Sequence, residues 1–121
     1  MKSDKILKKW NKYFNEGNLT SIVKLYDKGS ILLPTFSNKI LSDLEEIKEY
    51  FFKCIVQQKV SVEIRSNSLI EKKIGENIFL LSGIYIFKFQ TNKKVTARFT
   101  FLINPMKEKP IKHHHSSPIK D

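Results

Sequence analysis

The sequence predicts an α+β domain whose N-terminal helices pack on one face of an antiparallel sheet. Apolar residues recur at helical spacing up to about residue 53, and from residue 60 they alternate with a period of two. The two patterns occupy separate blocks, helices first and strands afterwards, and are not interleaved as in a parallel α/β sheet. No repeat, linker or low-complexity stretch divides the 121 residues, so 1–121 reads as a single domain long enough to bury a core without staples.

Residues 5–15 place Ile6, Leu7, Trp10, Tyr13 and Phe14 on one side of a first helix, and Gly17 supplies its stop. A shorter helix over 20–26, capped by Asn18 or Thr20 and closed near Gly29, gathers Ile22, Val23 and Leu25. Ile31-Leu32-Leu33 reads as a short buried strand stopped by Pro34. Ser42 or Asp43 caps a third helix to about residue 53, with Glu45 and Glu46 in the first turn where the helix dipole favours negative charge. Its apolar side is Leu44, Ile47 and Phe51, with Tyr50 beside them. Val60, Val62 and Ile64 then alternate with polar neighbours, and the runs 78–89 and 95–103 form a long hairpin turned at Thr91-Asn92-Lys93. A last strand covers 111–117.

The net charge of +10 raises the question of nucleic acid, yet the 20 lysines are scattered along the chain and accompany only two arginines and 15 isoleucines. That is a compositional bias with no phosphate-binding cluster, so no nucleic-acid partner is expected. No run approaches the 18 or so apolar residues of a membrane span, and the charged start lacks the apolar stretch of a secretion signal, which predicts a cytoplasmic protein with no membrane partner. The lone Cys54, beside Phe51, Phe52 and Ile55 in a helical pattern, reads as a small core residue and not a nucleophile.

The tail His113-His114-His115-Ser116-Ser117-Pro118 concentrates three imidazoles and two hydroxyls, and it is too short and too far from the end to read as a purification tag. Along a strand His114 and Ser116 point one way, and His113, His115 and Ser117 the other. A bulge would reverse the assignment. His113 and His115 share a face at a spacing that can chelate zinc or manganese, but no third protein ligand is evident, so no metal is expected. Between residues 77 and 107 the strands carry no Asp, Glu, Cys or His, which argues against an isomerase or cyclase built on a pocket carboxylate.

Four segments together resemble the iota-class carbonic anhydrases: Leu32-Leu33-Pro34-Thr35-Phe36-Ser37-Asn38, Ile47-Lys48-Glu49-Tyr50-Phe51, Ala97-Arg98-Phe99-Thr100-Phe101 and the terminal His-His-His-Ser-Ser-Pro. The resemblance spans essentially the whole chain. The His-His-His-Ser-Ser run combined with Leu-Pro-Thr is specific, whereas the arginine strand alone matches much of the wider superfamily, that of the calcium/calmodulin-dependent kinase association domain. It implies the cone-shaped nuclear transport factor 2-like (SnoaL-like, cystatin-like) fold, with a strongly bent sheet around a conical pocket and a homodimer formed through the outer sheet face. It further implies reversible hydration of carbon dioxide to bicarbonate, without metal in several members. By position it makes Thr35, Tyr50, His114 and Ser116 catalytic and sets Arg98 in the pocket lining; Ser37, Tyr85 and His115 are expected to bind substrate beside it. One departure lies at 104–110, where Pro105-Met106-Lys107-Glu108-Lys109-Pro110 replaces the family's acidic-glycine turn and tryptophan.

These groups suit the chemistry. Water must lose a proton while attacking an electrophilic carbon; hydroxyls of Thr35, Tyr50 and Ser116 can hold water and substrate, and neutral His114 can take the proton. Donors toward the bicarbonate oxygens, with Arg98 as a buried cation, supply the electrostatic part, and Phe36, Phe87 and Phe99 provide an apolar approach. Each residue also has a structural explanation: Thr35 shapes a turn, Tyr50 fills the core, Ser116 pairs within the sheet. A different class of answer is a non-catalytic association module that binds a small carboxylate at Arg98 and His114.

Overall fold

The computed structural model describes residues 1–120. Helix α1 (Asp4–Glu16) buries Ile6, Leu7, Trp10 and Phe14. It ends at Gly17, whose φ of 67° is the left-handed region that glycine enters without a Cβ penalty. Helix α2 (Leu19–Lys24) is capped by Asn18, whose side chain accepts from the Ser21 N–H.

The second helix stops two residues before the predicted end, because the sheet claims the backbone there. The Ile111 N–H donates to the Leu25 carbonyl, and Tyr26 pairs with Ile111. Strand β1 (Tyr26–Leu33) is therefore far longer than Ile31-Leu32-Leu33, and Gly29 lies inside its irregular stretch. Helix α3 (Leu44–Phe51) is capped by Asp43, which accepts from the Glu46 N–H, while the Glu46 carboxylate accepts from the Ser42 N–H. It continues into a π-helical segment, Phe52–Gln57.

The sheet is completed by β2 (Ser61–Ile64), β3 (Ile70–Gly75), β4 (Ile78–Lys88), β5 (Lys94–Ile103) and β6 (Ile111–Pro118), in the order β1-β6-β5-β4-β2 with β3 also on β4. The predicted hairpin is β4–β5. Strand β3 was not predicted; Glu71, Lys72 and Lys73 and its mostly exposed residues leave almost no alternation to read. The sheet is also not wholly antiparallel. β1 and β6 run parallel, which a connection spanning most of the chain permits.

Strands β2 and β3 share one edge of β4, against residues 85–88 and 78–82 respectively. The changeover falls at Gly83, where a Cβ would come within 2.8 Å of Leu69 and 3.0 Å of the Phe99 ring. A side chain here would have to displace the Leu69 and Phe99 side chains that pack against the glycine. The core fills the space between the helices and the inner sheet face, which carries Leu81, Tyr85 and Phe87 from β4 and Ala97, Phe99 and Phe101 from β5. Cys54 is buried in this core, and among the described residues no helix is long and apolar enough to cross a membrane.

Candidate active site

Strand β6 brings the imidazole inside. Its irregularity falls at Lys112, between the Ile103–Ile111 and Leu102–His113 pairings, so alternation from His113 onward is unbroken. His114 pairs with Phe101 and Ser116 with Phe99, and all four side chains are buried. His113, His115 and Ser117, paired with Leu102, Thr100 and Arg98, turn to the outer face.

His114 lies among aromatic rings. It stacks on Phe101 with centroids 3.9 Å apart and meets the edge of Trp10 at 5.6 Å. Its Nδ1 is 2.8 Å from the Tyr26 hydroxyl and its Nε2 3.1 Å from the Tyr85 hydroxyl. The Trp10 Nε1–H donates to the Tyr26 oxygen at 3.0 Å.

Hydrogen-bond directions follow from this inventory. An indole N–H only donates, so the Tyr26 oxygen accepts from Trp10 and its own hydrogen is free to go to Nδ1, its other partner among the described residues. Nδ1 is then the acceptor, and Nε2 of the neutral ring donates to Tyr85. The Tyr85 hydrogen is left for the adjacent hydroxyls of Ser116 and Thr35, which are hydrogen-bonded to one another. A single polarised chain of hydrogen bonds runs from Trp10 through Tyr26 and His114 to Tyr85, which lines the same cavity as the hydrogen-bonded Thr35–Ser116 pair.

Burial holds every member of this chain neutral. It drives the His114 pKa well below the ordinary histidine value, with a smaller push from His113 and His115, and it raises the phenols of Tyr26 and Tyr85 above theirs. Tyr50 is likewise raised by burial and by Cys54, and burial pushes the Cys54 thiol up to about 11, which keeps it protonated and unreactive.

Thr35 is held in place by its loop. Pro34 ends β1, and Leu32 and Leu41 exchange backbone hydrogen bonds of 2.9 Å, closing the loop that sets Thr35 against Ser116. Thr35, Tyr50, Tyr85, Phe87, His114 and Ser116 line a small cavity of about 10 Å³, room for one water. The Tyr50 hydroxyl accepts from the Phe36 N–H at 3.3 Å. Phe36, packed edge-on against Phe87 and Phe89, and Tyr50 separate this cavity from an open groove of about 350 Å³.

Three expected substrate-binding residues are elsewhere. Arg98 is exposed on the outer face, because Ala97 and Phe99 take the inward positions of β5. The buried cation and the carboxylate cradle shared with His114 are thereby overturned, since the two side chains stand on opposite sides of the sheet. His115 is exposed on the same outer face, beside Arg98 and Ser117 in a shallow cup. Ser37 lines the outer groove, where its hydroxyl accepts from the Lys39 N–H.

Sequence reasoning missed Trp10 and Tyr26 as site residues. Trp10 read as core, though a buried indole N–H needs an acceptor, and Tyr26 was absorbed into the helix before it. Among the described residues no three His, Cys, Asp or Glu side chains assemble into a metal-binding group. The donors at the cavity are hydroxyls and an imidazole with both nitrogens engaged, a set that does not fit zinc or manganese.

Comparison with known proteins agrees with the architecture. The chain is similar to a Xanthomonas campestris protein described as a calcium/calmodulin-dependent protein kinase II association domain, at 28% identity and a TM-score of 0.83 over 98% of this chain and 86% of that one. A nuclear transport factor 2-like protein of unknown function from Shewanella oneidensis is 18% identical, with a TM-score of 0.73 and 96% of both chains covered. A Streptomyces avermitilis protein described as a dehydratase of the nuclear transport factor 2-like family is 10% identical, with a TM-score of 0.83 over 99% and 95% of the chains. These last two likenesses concern the fold alone. No curated protein matches the sequence. The profile of the calcium/calmodulin-dependent protein kinase II association domain matches residues 3–120, so this chain, with its nuclear transport factor 2-like fold, belongs to that family.

Proposed function

We propose that the protein is a carbonic anhydrase, hydrating carbon dioxide reversibly without a metal. The observation that carries this reading is the buried neutral imidazole of His114, hydrogen-bonded to Tyr85 and lining one water-sized cavity with the Thr35–Ser116 hydroxyl pair. The resemblance of four sequence segments to the iota class supports it. In the resting arrangement the chain points its donors toward the cavity, which suits the oxygens of bicarbonate.

Proton uptake uses the reverse polarity. This needs the other tautomer of the ring, reached by exchange of its proton with water when the cavity opens. A phenol oxygen has two lone pairs, so Tyr26 then accepts from both Trp10 and the His114 Nδ1–H, its own hydrogen turning away from the ring, and Nε2 becomes the acceptor for Tyr85. Water held at Thr35 and Ser116 attacks the carbon, its proton moves through the hydroxyls and Tyr85 to Nε2, and bicarbonate stays on the hydroxyl donors. After product leaves, the imidazolium passes the proton back by the same path to solvent water or buffer admitted to the cavity, which restores the neutral ring. A cavity of about 10 Å³ is too small for carbon dioxide and water together, so Phe36 and Tyr50 must swing aside to join it to the outer groove. On the outer sheet face the half-buried Leu80, Ile84 and Ile86 suit a second copy of the chain, and the active form is a homodimer; sedimentation as a monomer would contradict that.

Stopped-flow carbon dioxide hydration on chelator-treated protein tests the activity. Hydration above the buffer rate is expected, with Thr35→Ala and Ser116→Ala each lowering it about ten- to a hundred-fold while the melting curve persists. A rate equal to buffer in folded wild type refutes the enzyme. Activity lost to chelator and restored by zinc refutes the metal-free mechanism.

A further inference from the structure

A groove of about 530 Å³ lies between α1 and the free edge of β2, apart from the His114 site. β2 ends the sheet, so one of its edges has no strand partner. At Val62 a side chain closes that edge: the Asn15 amide donates to the Val62 carbonyl at 2.9 Å and accepts from the Val62 N–H at 2.7 Å. Ile64, two residues on, turns its N–H and carbonyl the same way, since the Arg65 N–H bonds to Ile84 on the β4 side.

One helical turn before Asn15 stands Asn11. Four residues of helix advance about 6 Å and two residues of strand about 6.6 Å, so Asn11 is placed toward Ile64 as Asn15 is toward Val62. Asn11 does not close the edge, and its Oδ1 is buried without a hydrogen-bond partner. Outside the pairing of β2 with β4, no hydrogen bond among the described residues meets the Ile64 N–H or carbonyl.

We infer that this groove binds a small molecule through a primary carboxamide. Such a group has an acceptor oxygen and two N–H donors, and the groove offers their complements. The carboxamide oxygen accepts from the Ile64 N–H, one of its N–H groups donates to the Ile64 carbonyl as the Asn15 amide does at Val62, and the second donates to Asn11 Oδ1 once that side chain turns from its buried position into the groove. Leu7 and Leu69 receive an apolar body. Charge favours a neutral ligand, because the carboxylates at the rim, Asp4 and Glu63, already have Lys8 at 3.8 Å and Lys88 at 2.9 Å. The volume lies within the range of small-molecule sites.

Titration of isotope-labelled protein with benzamide, benzoate and N,N-dimethylbenzamide, followed by NMR, tests the assignment. Benzamide should move the Ile64 backbone amide and the Asn11 side-chain amide, saturating near about 1 mM, as expected for so few atoms. Benzoate and the dimethyl amide, which lack the paired donors, should bind at least ten-fold more weakly. Asn11→Leu should weaken benzamide about ten-fold and leave the signals of Thr35 and Ser116 unmoved. If that variant fails to fold, benzamide against dimethylbenzamide on the wild type decides alone. No movement at Ile64, or equal affinity for the two amides, overturns the site.

Discussion

His114 and His115 are neighbours on β6, yet one is 3% exposed among aromatic rings while the other stands in solvent beside Arg98. The inner face fixes its imidazole with two phenols and removes its charge. The outer face leaves its basic groups hydrated, and among the described residues Arg98 forms no ion pair. Residue type therefore does not determine the chemistry of this strand. Strand parity does, by deciding which imidazole is desolvated and wired to a hydroxyl pair.

The strongest way to break this contrast is to exchange the histidines one at a time. His114→Gln should lower carbon dioxide hydration about 10²- to 10⁴-fold, the usual range for a lost acid–base group. His115→Gln and Arg98→Ala should stay within about two-fold. Stopped-flow rates at matched folded fraction measure all three, and an Arg98→Ala loss as large as that of His114→Gln would place the chemistry on the wrong face.

A pH titration of stability sharpens the contrast. Burial lowers the folded-state pKa of His114 below its unfolded value of 6.5. Above 6.5 neither state holds the extra proton and the buried neutral ring carries no penalty. Below 6.5 the unfolded chain binds a proton that the folded chain does not, so stability is lost as pH falls, by about 1.4 kcal/mol per unit until the folded pKa is reached. Urea unfolding at pH 7.0 and 5.5 should show this loss, and His114→Gln should remove most of it. A wild-type midpoint independent of pH over that window would mean that His114 is not buried neutral.

How much of this was legible beforehand follows from the range of each signal. The helices, the β4–β5 hairpin and the inward parity of His114 and Ser116 rest on local periodicity, which a single sequence displays. The resemblance placed Arg98 in the pocket, whereas the local alternation of Ala97, Phe99 and Phe101 against Thr96, Arg98 and Thr100 sets it on the outer face. Strand β3 carries charges where alternation should be and is held by β4 alone. Tyr26 could not be found locally, since its strand exists only because β6, some 85 residues later, pairs with it. The Trp10–Tyr26–His114 chain joins three distant segments, and no spacing rule reports such a meeting.

The smallest expected effect probes the polarity of that chain. Trp10→Phe deletes the donor that occupies one lone pair of the Tyr26 oxygen while keeping an aromatic ring in the box. The lost bond and imperfect filling should destabilise the fold by about 1 to 2 kcal/mol. Without the indole, Tyr26 no longer has to offer its hydrogen to Nδ1 and can accept an Nδ1–H instead, leaving Nε2 free to accept from Tyr85. Nitrogen chemical shifts of the His114 ring should accordingly move toward the Nδ1–H tautomer, with the hydration rate held or raised. Unchanged ring shifts would show that the tautomer is set from the Tyr85 side, and the donor order would then have to be read outward from the Thr35–Ser116 pair and not inward from Trp10.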